Sequence, residues 1–343
     1  MNSKKIRFMI LIVVSLFVLF LLVTYVGIDS IMITLSKLSI EAVCVYILLS
    51  LPILLLFTLR TSYLLKSIGY NASVNTLFLV VSSSLLISNI TPGRIGELVK
   101  PYLLKKKLSV PQSKGLALVV FERICDMISL LLFSSIGLLL LVGAGISTEV
   151  TYLAVGTLFT FILITLILIF SLLNKGFAKV LYSFISHFIK KLPVLNKHLE
   201  GLDDFITKVS KSFYSTVGLF SKDKKNILKI FSISISVLLL DAFRIYYILG
   251  FLGIHLNYLV IISMNSLSIL MGIISTLPGG IGSMEASATV LFSYFGTEAR
   301  LIGSGIIIVR SMQYAFLVLV GVISLFVLKI DVANALRPPR LDT

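Results

Sequence analysis

The chain has 343 residues, 57% hydrophobic and only 13% charged, with a mean hydropathy of +1.07. That composition excludes an ordinary soluble domain and points to a polytopic membrane protein. The formal net charge of +15 implies anionic lipid headgroups before nucleic acid, because the positive residues lie between apolar spans.

In chain order, Lys4, Lys5 and Arg7 precede an apolar run from Phe8 to Val23. The run is long for a signal peptide and no small-residue cleavage site follows. It therefore reads as an uncleaved first span with a cytoplasmic start. Further spans are expected over 41–59, 75–90, 114–143, 151–173, 227–249, 258–277 and 301–328. Each is near the roughly 20 residues that a helix needs to cross the hydrocarbon. Backbone groups must be satisfied internally there, and no alternation every second residue suggests a barrel. Cys44 and Cys125 lie in apolar segments without metal-ligand spacing, so both are expected to be buried free thiols. No metal site and no cofactor is expected, and no G-x-x-x-x-G-K-[ST] nucleotide loop occurs.

The connection from Asn174 to Asn226 carries ten lysines against Glu200, Asp203, Asp204 and Asp223, whereas those near Gly145 and His255 carry no Lys or Arg. The positive-inside rule places the first in the cytoplasm. Simple alternation would then leave Lys105, Lys106 and Lys107 outside. The conflict disappears if 94–104 dips back through part of the bilayer, and if 283–295 does the same. Both termini are then cytoplasmic in a multi-pass protein of the cell membrane. Within the connector, a helical stripe runs Phe177, Val180, Leu181, Phe184, Ile185, Phe188, Ile189 and Leu192, and a second runs from Leu199 to Val209. Such helices fit either the membrane interface or packing against other helices.

A short pattern occurs twice. Thr91-Pro92-Gly93-Arg94-Ile95-Gly96-Glu97 is matched by Leu277-Pro278-Gly279-Gly280-Ile281-Gly282-Ser283-Met284-Glu285, with the two prolines 186 positions apart. Arg123 follows Gly93 by 30 positions and Arg310 follows Gly279 by 31. Matching markers at matching spacing indicate an internal duplication. Paired Gly/Pro interruptions in two halves point to a transporter binding site, or else mark tight surface turns. The expected fold is an all-α polytopic membrane protein. It has about eight transmembrane helices and two re-entrant segments in a pseudo-symmetric inverted repeat. Residues 1–343 form a single integral membrane domain: 1–173 the first half with the N-terminal span, 174–226 a cytoplasmic amphipathic connector, 227–343 the second half.

Charges inside apolar runs are costly in lipid and face the bundle interior. They are Arg94 and Glu97, Glu122, Arg123 and Asp126, Asp241 and Arg244, and Glu285 and Arg310. Asp241 and Arg244 are expected to lock helices by pairing. Arg94, Glu97, Arg123, Glu285 and Arg310 recur at the repeated breaks and are the candidate headgroup-binding residues. Pro92, Gly93, Gly96, Pro278, Gly279, Gly280 and Gly282 are the structural breaks.

At these residues the chain resembles the transmembrane, flippase-like region of the lysylphosphatidylglycerol synthase/flippase family. Its elements are Pro92-Gly93-Arg94-Ile95-Gly96-Glu97, Arg123, Pro278-Gly279-Gly280-Ile281-Gly282-Ser283-Met284-Glu285 and Arg310. The resemblance implies movement of an anionic, aminoacylated or glycosylated lipid between leaflets, with the arginines on the headgroup phosphate. Glu97 and Glu285 would pair with those arginines or meet a cationic headgroup. The full-length enzymes add a soluble aminoacyltransferase domain, which this sequence does not show, so lysyl transfer is not expected. Two other readings stay open: a membrane-embedded transferase, with Asp29 and Glu41 as candidate carboxylates, and a non-catalytic partner of a separate lipid-modifying enzyme. The expected partners are anionic membrane lipids, not nucleic acid.

Overall fold

A computed structural model describes residues 3–91, 96–97, 99–174, 176–177, 214–220, 224–275, 277–296 and 298–330. Pro92, Gly93 and Arg94 lie outside them, as do both connector stripes apart from Phe177.

The described residues are helical, without strands. Helix α1 spans Ser3–Val26 and α2 spans Ile28–Ser36. Gly27 separates them at φ 87°, and the chain bends by 78°. Helix α2 was not among the expected elements, since its nine residues are too few to register as a span. Helix α3 covers Ile40–Ser67, with Ser39 accepting from the Ala42 N–H at 3.1 Å as its N-cap. Helix α4 covers Val74–Ile90, capped in the same way by Ser73. Then come α5 (Val99–Leu108), α6 (Gln112–Gly143) and α7 (Thr148–Leu173). After the connector come α8 (Lys224–Phe251), α9 (Tyr258–Ile274, capped by Asn257), a 3₁₀ turn (Pro278–Gly280), α10 (Ser283–Ser293) and α11 (Ala299–Leu328).

Every expected span falls on a helix. Helices α3, α6, α7, α8 and α11 are each long and apolar enough to cross a membrane, and α1 with α2 would make a bent sixth. Helices α4 and α9, at 17 residues, are about 25 Å long, short of the roughly 30 Å hydrocarbon core. Each stops at one of the two Pro-Gly breaks.

Helices α3–α6 repeat as α8–α11. The matched lengths are 28 and 28, 17 and 17, 10 and 11, and 32 and 30 residues. Contacts between the units survive their exchange: α3 packs on α8, α4 on α11, and α9 on α6. Small residues make the closest approaches. A Cβ on Gly137 of α6 would stand 3.1 Å from the Ser263 carbonyl oxygen of α9, and one on Gly321 of α11 would stand 2.5 Å from Leu86 Cβ of α4.

Two apolar cores establish direction. One holds the start of α3 (Ala42, Tyr46), the ends of α6 (Leu141) and α8 (Leu249), the start of α11 (Ile302), and α10 through Ala288, Leu291 and Phe292. The other holds the end of α3 (Leu64, Leu65), the starts of α6 (Ala117) and α8 (Ile230), the end of α11 (Leu328), and α5 through Val99, Leu103 and Leu104. Equivalent long helices therefore run in opposite directions, and the two short helices sit at opposite ends. This is an inverted repeat.

The ends differ in charge. Around the second core stand Lys66, Lys105, Lys106, Lys107, Lys114, Lys224, Lys225 and Lys229. Lys114 lies over the Tyr70 ring at 5.0 Å and Lys229 over Tyr63 at 6.0 Å. The other end carries Asp29, Glu41, Glu149 and Glu298 in first turns or caps, against only Lys37 and Arg300 among the described residues. Cys125 is buried as expected, but Cys44 is exposed on α3. Apolar surroundings in sequence do not mean a protein-facing side chain on a helix that also faces lipid.

Candidate functional site

A cavity of about 180 Å³ opens between the two repeat units. Its wall comes from all three interlocked helix pairs, α3 with α8, α4 with α11, and α9 with α6, and from Met284 at the start of α10. Six charged side chains line it: Glu97, Arg123, Asp126, Asp241, Arg244 and Arg310.

The first unit's charges form a continuous chain. Arg123 pairs with Glu97 through Nε and stands 3.6 Å from Asp126. Ser88 donates to Glu97 at 3.2 Å. Asp126 also pairs with Arg60, which donates to Ser234 at 2.8 Å and lies 3.7 Å from Glu122. Glu122 accepts from Lys100 at 2.7 Å and 2.9 Å, and Thr61 accepts from Lys100 at 2.7 Å. Arg60, Lys100 and Glu122 are buried. Charge alternates along the whole series, the condition under which buried ions are tolerated.

The second unit is built differently. Arg244 pairs with Asp241 three residues away, donates to Ser50 at 2.9 Å and lies over the Tyr46 ring at 4.7 Å. Asp241 also accepts from Asn265 Nδ2 at 3.3 Å. Arg310 is 7% exposed, yet its acceptors are amide oxygens: Gln313 Oε1 at 2.9 Å and Asn265 Oδ1 at 3.4 Å. Among the described residues no carboxylate lies within 4.0 Å of Arg310. It is the uncompensated cation of the described cavity wall.

Glu97, Arg123 and Arg310 thus meet at one cavity, and Arg94 lies outside the described residues. Glu285 does not line the cavity. Its Oε2 accepts from the Gly282 N–H at 2.7 Å, capping α10, and Tyr314 OH lies 3.5 Å from Oε1. Glu97 therefore meets Arg123, while Glu285, among the described residues, is engaged by the start of its own helix. The breaks hold their backbone by glycine. Gly279, Gly280 and Gly282 have φ of 61°, 70° and 86°, and a Cβ on Gly96 would stand 2.5 Å from the Ile87 carbonyl oxygen. Pro278 opens the 3₁₀ turn. Neither Asp29 nor Glu41 reaches the cavity. Among the described residues, no group of three or more His, Cys, Asp or Glu could hold a metal ion.

Arg60, Lys100, Asn265 and Gln313 escaped the sequence reading. Arg60 lies one residue beyond the expected span 41–59, and Lys100 lies within the expected dip 94–104 with no partner legible in sequence. The two amides carry no charge to stand out. Asn265 was nonetheless the sole Asn, Gln or charged residue in 258–277.

The family model for the lysylphosphatidylglycerol synthase TM region matches residues 8–321. The chain belongs to that family. Relatives are similar along most of their length. A UPF0104 membrane protein of Methanocaldococcus jannaschii is 25% identical over 343 aligned residues, covering 97% of this chain and 98% of the relative. One of Methanothermobacter thermautotrophicus is 24% identical, covering 91% and 93%. One of Pyrococcus horikoshii is 24% identical, covering 91% and 94%. The lysylphosphatidylglycerol synthase TM match takes in both Pro-Gly breaks and every charged residue of the cavity wall. The protein is a multi-pass membrane protein of this family.

Proposed function

We propose that the protein translocates a phosphate-bearing anionic lipid, plain, aminoacylated or glycosylated, between the leaflets of the cell membrane. The observation that carries this reading is Arg310. It is buried, on the cavity wall, and balanced by no carboxylate among the described residues. A buried cation without a counterion is costly, and an anion arriving in the cavity would remove that cost. Arginine suits phosphate through its planar fork. The inverted repeat supports transport, because rocking one unit against the other exposes a central site alternately to each side.

The lysine-rich end faces the cytoplasm in this reading, by the positive-inside rule and its attraction to anionic headgroups. Both termini lie on that side. The partners are anionic membrane lipids, and a separate lipid-modifying enzyme would supply any aminoacylated headgroup.

Reconstitution in liposomes with a panel of labelled lipids, scored for leaflet exchange, tests the proposal. Exchange of phosphate-bearing lipids above protein-free liposomes is expected, and its loss in Arg310→Ala protein that remains folded. Failure to move any lipid of the panel would overturn it.

A further inference from the structure

The two arginines related by the repeat are not held alike. Arg123 has an acid three residues on, Asp126 at 3.6 Å, and a second in Glu97. Arg310 has an amide at the same offset, Gln313 at 2.9 Å, and a second amide in Asn265 at 3.4 Å. At the offset of three residues the second unit replaces a carboxylate by a neutral acceptor, and its other acceptor, Asn265, comes from α9 instead of from the break that supplies Glu97. The nearby acid Asp241 is already engaged by Arg244 and by Asn265 Nδ2. Asn265 is 2% exposed and stands between them, its Nδ2 toward Asp241 and its Oδ1 toward Arg310.

We infer that Asn265 and Gln313 are charge-selecting residues, which hold the Arg310 guanidinium in place without neutralising it and so make the cavity selective for a phosphate monoanion. An amide oxygen accepts the same N–H bonds as a carboxylate but leaves the full positive charge on the guanidinium. A carboxylate there would neutralise the guanidinium in an ion pair that an incoming phosphate must break. Arg123, already neutralised in this way, is the weaker candidate for first contact. This inference rests on the translocation reading for the identity of the ligand as a lipid. The same phosphate chemistry could come from a soluble ion.

The test uses the full-length protein in a neutral maltoside detergent. Binding is measured for dioctanoyl phosphatidylglycerol, for uncharged dioctanoylglycerol and for inorganic phosphate. Wild-type protein is expected to prefer the anionic lipid over the neutral one by about tenfold or more, the scale of one charge-assisted hydrogen bond. Gln313→Glu and Asn265→Asp each place a carboxylate on Arg310, and each should abolish the preference; Gln313→Glu should leave the melting temperature unchanged or raised, whereas Asn265→Asp also sets a carboxylate against Asp241 and should lower it. Gln313→Met, neutral and of similar length, leaves the charge but removes one hold on the guanidinium, so it should keep the preference at weaker overall affinity. A merely structural role gives the opposite order, with the methionine variant impaired and the acidic variants normal. Inorganic phosphate matching the lipid in affinity would assign the site to a soluble anion, and phosphate binding far more weakly assigns it to the headgroup. Retained preference in both acidic variants, or none in wild type, overturns the inference. Leaflet exchange without charge preference would leave translocation standing and remove only this step. Charge-selective binding without exchange would do the reverse.

Discussion

Gly279 packs against Asn89 so closely that a Cβ at position 279 would collide with the Asn89 main-chain oxygen. Asn89 is in the last turn of α4, just before the first Pro-Gly element, and Gly279 belongs to the second. The second break therefore packs against the last turn of α4. Gly279→Ala is expected to lose most of its folded protein. It meets two obstacles: the left-handed conformation at φ 61°, about 1–2 kcal/mol for an L-residue, and a main-chain atom that cannot swing aside. Gly296→Ala is the matched control, since its φ is 88° but nothing lies within 4 Å. It should show the conformational cost alone. Thermal melting and the monodisperse fraction in detergent check the comparison, and equal behaviour of the two variants would remove the contact as the cause.

The pair Lys100 and Glu122 gives a second expectation. Both are buried, and they are bonded at 2.7 Å. Removing one partner strands the other, at a cost of about 3–5 kcal/mol, whereas replacing both by apolar groups is often neutral. Lys100→Met and Glu122→Leu should each destabilise strongly, and the double variant should recover much of the loss. Thermal melts of the three proteins measure the coupling. Additive losses would show that the pair does not act as a unit.

The extent to which the sequence discloses this architecture follows from physical scale. Runs of about twenty apolar residues with charged ends stand out in any chain, so the long helices and the charge asymmetry were readable. The repeat was readable because Pro-Gly breaks and buried arginines are rare in apolar sequence. Side-chain partners were not, because they depend on which helices face one another. Glu285 ends the second motif as Glu97 ends the first, yet its carboxylate turns back to cap Gly282 while that of Glu97 meets Arg123. Arg60 reads in sequence as the charged end of a span, whereas Asp126 and Glu122 let it sit within α3. Asn265 was missed because its role comes from bridging Arg310 and Asp241, residues far from it in sequence.

Arg123→Lys separates charge from shape. A lysine keeps the positive charge but loses the planar fork that meets Glu97 through Nε and approaches Asp126 through a terminal nitrogen. The variant should fold and enter the membrane, because one ion pair survives, yet exchange lipid at a rate lower by about tenfold, one charged hydrogen bond. Melting temperature and liposome exchange, measured on the same preparation, decide it. Normal exchange by a stable Arg123→Lys protein would confine this residue to a structural role.

The last prediction concerns which end faces the cytoplasm. Lys106 sits on the last turn of α5, over the Tyr102 ring at 5.9 Å, among the lysines that gather around one core. Glu298 caps the start of α11, at the opposite end. If the lysine-rich end is cytoplasmic, Lys106→Cys should resist an impermeant thiol reagent in intact cells and react after permeabilisation, while Glu298→Cys should react in both. The background must lack both native thiols, and the structure says which matters more. Cys44 is exposed and would report on its own, whereas Cys125 is buried. Cys44→Ser with Cys125→Ala removes both at little expected cost, since neither forms a disulfide. Labelling of Lys106→Cys and protection of Glu298→Cys would invert the orientation and leave the repeat intact. Labelling of both in intact cells would place the two ends on the same side, which the antiparallel course of α3 and α8 between the two cores does not permit.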